Sequence, residues 1–233
     1  MNNVSIVTRT KNESEDLLSF AAALNRQTIT PSEIIVVDNN SDDNSVKVAH
    51  ELGFRVLSTN SYFPGNALNI GIEQTIGDFI VLVSVHCIPT NSRWLENLIE
   101  PLFMDELIAG VYGRQLPCED SKPNDSRDLY SIFGSESKLQ TSEIFFHNAN
   151  SVIRKSVWEE FQFSKNATNI EDRIWAKEVL ARGYKIFYSS KASVFHSHGV
   201  NHNGNESRAE SVVKVMKDRN LYEHEKDKDW YKR

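Results

Sequence analysis

Four groups of polar residues in this chain have types and spacings that could do chemistry. Asp38 follows the apolar pair Val36-Val37 and precedes Asn39-Asn40-Ser41-Asp42-Asp43. A carboxylate there can accept hydrogen bonds from a base or a ribose, or it can simply end a strand while Asp42 or Asp43 caps the next helix. Ser84-Val85-His86 follows the apolar run Phe79-Ile80-Val81-Leu82-Val83, and Phe195-His196-Ser197-His198-Gly199 carries two more imidazoles. On a strand His196 and His198 share a face, whereas a bend at Ser197 divides them. The fourth group is Thr168-Asn169-Ile170-Glu171-Asp172. Thr168-x-x-Glu171 has the form of a capping box, so Glu171 is expected to serve the backbone. Asp172, about 100° further round the helix, is left to face a cleft. Acids at a helix N-terminus also suit the helix dipole with no chemistry at all.

These groups need a scaffold, and the apolar pattern supplies one. Val4-Ser5-Ile6-Val7, Ile34-Ile35-Val36-Val37, a stretch over 54–57 and Phe79-Ile80-Val81-Leu82-Val83 read as strands, and helical spacing fills the intervals between them. Helices are expected from Asn12 to Asn25, from Asn44 to Gly53 and over 67–75. Such alternation predicts an α/β fold, a mostly parallel central sheet flanked by helices, with its ligand crevice beyond the carboxyl ends of the strands. Thr8-Arg9-Thr10, Asp38-Asn39-Asn40-Ser41 and Ser84-Val85-His86 all fall at such ends.

The second half is less regular. A helix over 92–103 and a strand near Val111 precede residues 116–142, whose polar composition has no period and reads as a mobile loop. Strands are expected at Ile144-Phe145-Phe146, Ser151-Val152-Ile153, 186–188 and Val194-Phe195, and a helix over 171–182 closed by Gly183. Trp158 and Trp175 fall in helical apolar patterns and read as core. Residues 206–233 mix both charges around Val212, Val213 and Met216, and read as a solvated helical tail packed loosely on a domain spanning 1–205.

The chain has 233 residues, long enough for a substantial core, and a net charge of −6. That balance gives no basic field for a polyanion, so nucleic acid is not expected as a partner. The two cysteines, Cys87 and Cys118, lack metal-ligand spacing and fit reduced thiols in a cytoplasm. No apolar run reaches the roughly 18 residues needed to span a bilayer and no leader pattern opens the chain, so neither export nor a transmembrane anchor is expected. Peripheral membrane contact stays open.

The series Val4-Ser5-Ile6-Val7-Thr8-Arg9-Thr10-Lys11-Asn12-Glu13, Glu33-Ile34-Ile35-Val36-Val37-Asp38-Asn39-Asn40-Ser41-Asp42-Asp43, Gly65-Asn66-Ala67-Leu68-Asn69-Ile70-Gly71 and Gly77-Asp78-Phe79-Ile80 resembles the family 2 glycosyltransferases of the GT-A, Rossmann-like fold. The likeness extends over roughly residues 3 to 200. It implies an inverting transfer of a sugar from a nucleotide-sugar donor to a hydroxyl acceptor, in bacterial surface polysaccharide or lipid-linked glycan assembly. It also implies Thr8, Arg9, Glu13, Asp38 and Asn40 as nucleotide-site residues, with Asn66 and Asn69 nearby.

The family usually carries Asp-x-Asp after the fourth strand to hold a divalent cation against the donor diphosphate, and rhamnosyltransferase-like members carry Ser-x-Asp. Here His86 replaces the remaining acid. With Ser84 and the distal His198 it could hold a metal through neutral imidazoles, a donor set that favours Mn²⁺ over Mg²⁺; the rival is a metal-free site in which imidazole N–H groups meet the leaving diphosphate. The acidic motif implies Asp172 as the base that deprotonates the acceptor hydroxyl, with Glu171 beside it. His147-Asn148-Ala149-Asn150-Ser151 occupies the place of a turn near sugar and acceptor, so Asn148 and Asn150 are acceptor or sugar contacts by resemblance, or amides that satisfy the turn itself. The 116–142 loop is expected to close over the acceptor. Two alternatives are a GT-A enzyme with an atypical, cytidine-linked donor and a catalytically inactive module that binds nucleotide or glycan.

Overall fold

Runs that are apolar at every position cannot lie on a sheet with one wet face, so each becomes a strand covered on both sides. In the structure, a computed structural model describing residues 3–60, 63–199, 205–219 and 221, four strands pair in parallel, two of them built on such runs. They are β1 (Val4–Thr10), β2 (Glu33–Asp38), β3 (Arg55–Ser58) and β4 (Phe79–Val83), in the spatial order β3-β2-β1-β4. The helices α1 (Ser14–Leu24), α2 (Ser45–Glu51) and α3 (Pro64–Glu73) connect them.

Then follow β5 (Cys87–Pro89), α4 (Trp94–Ile99) with a 3₁₀ turn at Glu100–Phe103, β6 (Ile108–Pro117), α5 (Pro123–Ile132) and β7 (Lys138–Gln140). The chain continues through β8 (Asn150–Arg154), α6 (Lys155–Glu160), α7 (Glu171–Leu180), β9 (Lys185–His196) and α8 (Glu206–Asp218). The sheet extends from β4 through β8, β6, β9 and β5, with β7 on β9. It is parallel in its first half and mixed in its second, since β8 runs against both β4 and β6.

The two-residue period of a strand splits the core. Phe79, Val81 and Val83 pack with Phe20 of α1 and Trp94 of α4, while Ile80 and Leu82 pack with Leu68 of α3 and Trp175 of α7. The register Thr10↔Asp38 and Val7↔Leu82 brings the carboxyl ends of β1, β2 and β4 to one edge. Gly71 brings α3 onto the same region. A Cβ there would stand 2.5 Å from Val7 Cγ1 and 2.9 Å from Val37 Cγ2, so only glycine lets the helix lie this close to β1 and β2.

Residues 116–142 are not the loop that their composition predicts. They end β6 and contain α5 and β7, and Leu129 and Phe133 are fully buried in the main core. Tyr112 Oη donates to Gln140 Oε1 at 2.6 Å, and Tyr188 Oη to the Gly134 carbonyl at 2.6 Å, tying the segment to the sheet. Two apolar residues four apart are enough to seat a short helix, and so sparse a stripe is lost in a polar stretch. Ile144-Phe145-Phe146 forms no ladder; its rings pack instead on Tyr112 and Trp175. The two strands expected near 186–195 are one, β9, which spans register shifts in its pairing with β6.

Helix α8 begins at the expected boundary, with Asn205 Oδ1 accepting from Arg208 N at 3.1 Å. None of its residues is buried, as a solvated helix requires. It is nevertheless tied down: Asn169 Nδ2 donates to Ser211 Oγ at 2.9 Å and Lys177 Nζ to the Arg219 carbonyl at 3.0 Å. Among the described residues no helix is long and apolar enough to cross a membrane.

Candidate active site

A cavity of about 480 Å³ opens where the strand ends converge. Arg9 and Thr10 line it from the end of β1, Lys11 and Glu13 from just after it, Asn39 after β2, and Ser84 and His86 after β4. Val85, between those last two, turns to the opposite side and is fully buried with Leu17 and Val36. The alternation of Ser84-Val85-His86 thus delivers two polar groups to the cavity and one apolar group to the core.

Not every expected residue arrives there. Thr8 is fully buried, with its hydroxyl directed at the Arg9 carbonyl, and Thr10 lines the cavity in its place. Asp38 is buried between two cavity-lining neighbours, Val37 and Asn39, and its carboxylate accepts from Ser41 N at 3.2 Å and Ser41 Oγ at 2.5 Å. Asn40 is exposed in a left-handed turn and donates to Asn60 Oδ1, and Asn66 lies on α3 outside the cavity lining. Asn69 belongs to the scaffold: its amide receives Trp158 Nε1 and Phe163 N and donates to the Phe163 carbonyl. Asn150 does likewise, receiving Trp94 Nε1 and donating to the Arg114 and Ala192 carbonyls. Each amide makes three of its four possible hydrogen bonds to separate chain segments, and neither lines the cavity.

The histidines do converge. His86 and His196 stack with ring centroids 5.2 Å apart, and His198 lies 4.9 Å from His86 and 4.4 Å from His196. The bend at Ser197 brings the two distal rings together instead of separating them.

Hydrogen bonds fix two of the tautomers. His86 Nδ1 lies 2.6 Å from Glu13 Oε1, so a carboxylate acceptor requires the proton on Nδ1 and leaves the Nε2 lone pair of the neutral ring outward. For His196 a longer chain of partners decides. Ala149 N–H donates to His147 Nδ1, so that nitrogen is an acceptor. Gln115 Nε2 therefore donates to it at 3.1 Å, which turns Gln115 Oε1 towards His196 Nδ1 at 2.7 Å. His196 must then carry its proton on Nδ1 and its lone pair on Nε2. His147 stays neutral because burial, helped by the charges of Arg173 and Arg208, pushes its pKa down to about 3.

His86, Cys87 and His196 offer ligand atoms within 4.8 Å of one another. Cys87 is a poor member of that set. Its thiol is fully buried in the core and burial holds its pKa well above the usual value, so it remains protonated. Imidazoles are the available donors.

The same cavity holds a pair of acids. Ile170 adopts φ 50° at the start of α7, and no side chain caps the helix. The capping box predicted from Thr168-x-x-Glu171 is therefore absent: Thr168 Oγ1 meets Ser211 Oγ at 3.1 Å. Glu171 and Asp172 both line the cavity, and Asn148 holds the pair. Its Nδ2 donates to Glu171 Oε1 and its backbone N–H to Asp172 Oδ2, each at 3.2 Å. Burial raises both carboxyl pKa values, and for Glu171 the neighbouring Asp172 charge raises it further. A carboxylate whose pKa is lifted towards neutrality is a stronger proton acceptor.

Sequence reasoning missed Thr10, Asn39, Gln115, His147 and Arg208. Thr10 and Asn39 are adjacent in sequence to expected residues. Gln115 carries no signal, because its role exists only through the register of β6 against β9.

The profile of the Glycosyl transferase family 2 matches residues 5–161. The chain is similar to the O-antigen chain rhamnosyltransferase RfbN of Salmonella typhimurium strain LT2, at 32% identity over 76% of this chain and 60% of the relative. It spans about 60% of the length of the curated relatives that it matches. Among solved structures it resembles the mannosyltransferase PcManGT of Pyrobaculum calidifontis in complex with GDP-Man and Mn²⁺, with a TM-score of 0.71 and 15% identity over 93% of this chain and 64% of that one. It also resembles S. aureus TarS 1–349 in complex with UDP-GlcNAc, with a TM-score of 0.69 and 16% identity over 92% and 66% of the two chains.

Proposed function

Because this chain belongs to glycosyl transferase family 2 and has the GT-A fold, we propose that it is an inverting glycosyltransferase that moves a sugar from a nucleotide-sugar donor to a hydroxyl acceptor. The observation that carries this reading is the acid pair clamped by Asn148 in one cavity with the strand-end residues and the histidines. The nucleotide lies against Arg9, Asn39 and the end of β2 beside Asp38. Asp172 takes the proton of the acceptor hydroxyl as that oxygen bonds to the anomeric carbon, and the bond from that carbon to the donor phosphate breaks to release the nucleoside diphosphate. Glu171, with its raised pKa, shares the pair's proton and keeps two adjacent negative charges from building up.

The donor set fits a divalent cation. Two imidazoles present Nε2 lone pairs whose tautomers are fixed from behind, and Glu13 orients His86 as a second-shell carboxylate does at metal sites. His86, His198 and His196 would hold the ion, which when bound neutralises charge on the donor diphosphate. A nitrogen-rich set with no aspartate favours Mn²⁺ over Mg²⁺. The Mn²⁺ and GDP-Man in the Pyrobaculum complex support a divalent cation and a nucleotide-sugar donor.

The acceptor is a glycan or a lipid-linked glycan of a surface polysaccharide, supported by the O-antigen relatives, and a lipid-linked acceptor would bring the protein into peripheral contact with a membrane. Two unbridged cysteines fit a cytoplasmic setting. A panel of nucleoside diphosphates with and without Mn²⁺, read as shifts in melting temperature, tests the reading, because a ligand that binds the native state stabilises it. At least one should raise the melting temperature, more so with Mn²⁺; no shift from any of them would reject the donor site.

A further inference from the structure

Helix α8 lies beyond the family match, which ends at residue 161, yet it contributes Arg208 and Val212 to the cavity. Arg208 projects into a mixed electrostatic field. It feels the charges of Glu171, Asp172, Arg9 and Arg173, and its own charge reaches His147 and His198. It shares the cavity with the acid pair and with the histidines.

Its guanidinium is in no close ion pair there. Among the described residues no carboxylate lies within 4.0 Å of it, and its Nε is buried without a hydrogen-bond partner. Arg9, which lines the cavity as Arg173 also does, likewise has no ion pair among the described residues and repels it. Two guanidiniums without a close ion pair in one cavity repel each other, and an anion bound between them relieves that repulsion. The planar fork of arginine suits phosphate oxygens, which accept two parallel N–H bonds.

We propose that Arg208, together with Arg9, clamps the diphosphate of the donor, so that α8 is a wall of the active site and not an appendage. This rests on the donor reading above. A diphosphate between the two arginines gives Nε its acceptor and cancels the repulsion. As the sugar leaves, negative charge grows on the departing phosphate oxygen, and Arg208 is placed to receive it. The anchor of α8 is consistent with this role. Ser211 is bonded to Asn169, two residues before Glu171, so the helix that carries the guanidinium is fastened to the chain segment that positions the acids.

The test uses the full chain and its Arg208→Ala, Arg208→Lys and Glu210→Ala variants, the last an exposed position on the same helix. Calorimetry measures affinity for the nucleoside diphosphate that most stabilises the parent, for its monophosphate and for inorganic pyrophosphate, with melting temperatures alongside. Arg208→Ala should weaken the diphosphate by about 10- to 100-fold and the monophosphate much less, the loss expected for a charge-assisted hydrogen-bond pair. Arg208→Lys should fall between, and Glu210→Ala should match the parent. Equal diphosphate affinity in the parent and Arg208→Ala overturns the clamp and leaves the donor reading standing. An equal loss for all three ligands together with a lower melting temperature also overturns it, since it assigns Arg208 to holding α8 in place. A parent that binds pyrophosphate through Arg208 but no nucleotide supports the anion clamp and overturns the donor reading.

Discussion

Glu13 Oε1 lies 2.6 Å from His86 Nδ1, and this contact joins the loop that enters α1 to the turn that follows β4, 73 residues later. It makes His86 more than a substitute for the family acid. A histidine alone brings no negative charge to a diphosphate site; paired with a carboxylate it becomes a more basic ligand with a fixed ring, and the negative charge lies one shell further out.

Glu13→Gln keeps the size of the side chain and removes that charge. We expect the affinity for Mn²⁺, titrated into the protein with nucleoside diphosphate present, to fall by about 10- to 100-fold, as for other outer-shell partners of metal-bound histidines. Nucleotide affinity in chelator should change little. An unchanged Mn²⁺ titration would show that the pair only ties α1 to the sheet.

The two acids separate by kinetics. Asp172→Asn should lower kcat by about 10²-fold or more and leave donor affinity within about threefold, because a base acts in the chemical step and not in donor binding. Glu171→Gln should retain a larger share of kcat. A fully active Asp172→Asn enzyme would transfer the role of base to Glu171.

Much of the scaffold was legible because parallel strands announce themselves. Ile34 to Val37 and Phe79 to Val83 are apolar throughout, and a run of that kind ending on a polar residue marks both a strand and the edge where ligands bind. The second half was harder for a physical reason. α5 needs only Leu129 and Phe133 to hold it, so its sequence is as polar as a loop. Within the site, His86, His198, Glu171 and Asp172 could be found because they stand at strand and helix ends in motifs that resemble the family's. Asn69 and Asn150 could not be sorted from ligand-binding amides, since an amide that bridges two chain segments is the same residue as one that binds a hydroxyl. Arg208 was hidden by the near-neutral charge mixture of its helix, which describes the exposed face and says nothing of the face that meets the cavity.

Asn69 gives a direct check on that sorting. Its amide ends three hydrogen bonds, to Trp158 Nε1, Phe163 N and the Phe163 carbonyl, at a buried position. Asn69→Ala strands buried donors and should cost about 2–4 kcal/mol of stability by urea unfolding. Nucleotide affinity of the folded fraction should remain. A stable Asn69→Ala protein with lost nucleotide binding would return Asn69 to the site.

The last prediction concerns the pH dependence of stability and follows from the buried acids. Burial raises the pKa of Glu171 in the folded protein above its ordinary value, and the Asp172 charge adds to the shift. Below about pH 4 the group is protonated in both folded and unfolded chains and costs nothing. As pH rises from there, the unfolded chain releases the proton while the folded chain still holds it, so the folded state is progressively penalised until pH passes the raised value. Glu171→Gln removes the ionisable group and retains an oxygen to accept from Asn148 Nδ2. The variant should therefore melt above the parent at pH 7–8 and converge with it towards pH 4, each kcal/mol relieved showing as about 2–4 °C. The difference between the two proteins must be followed, not the parent alone, because His147 acts in the opposite sense. Its pKa is pushed down to about 3, so it withdraws stability as pH falls below about 6.5 in both proteins and cancels in the comparison. A Glu171→Gln variant that melts below the parent at neutral pH would mean that the ionised carboxylate is stabilised by Arg9 and Arg208 more than burial opposes it.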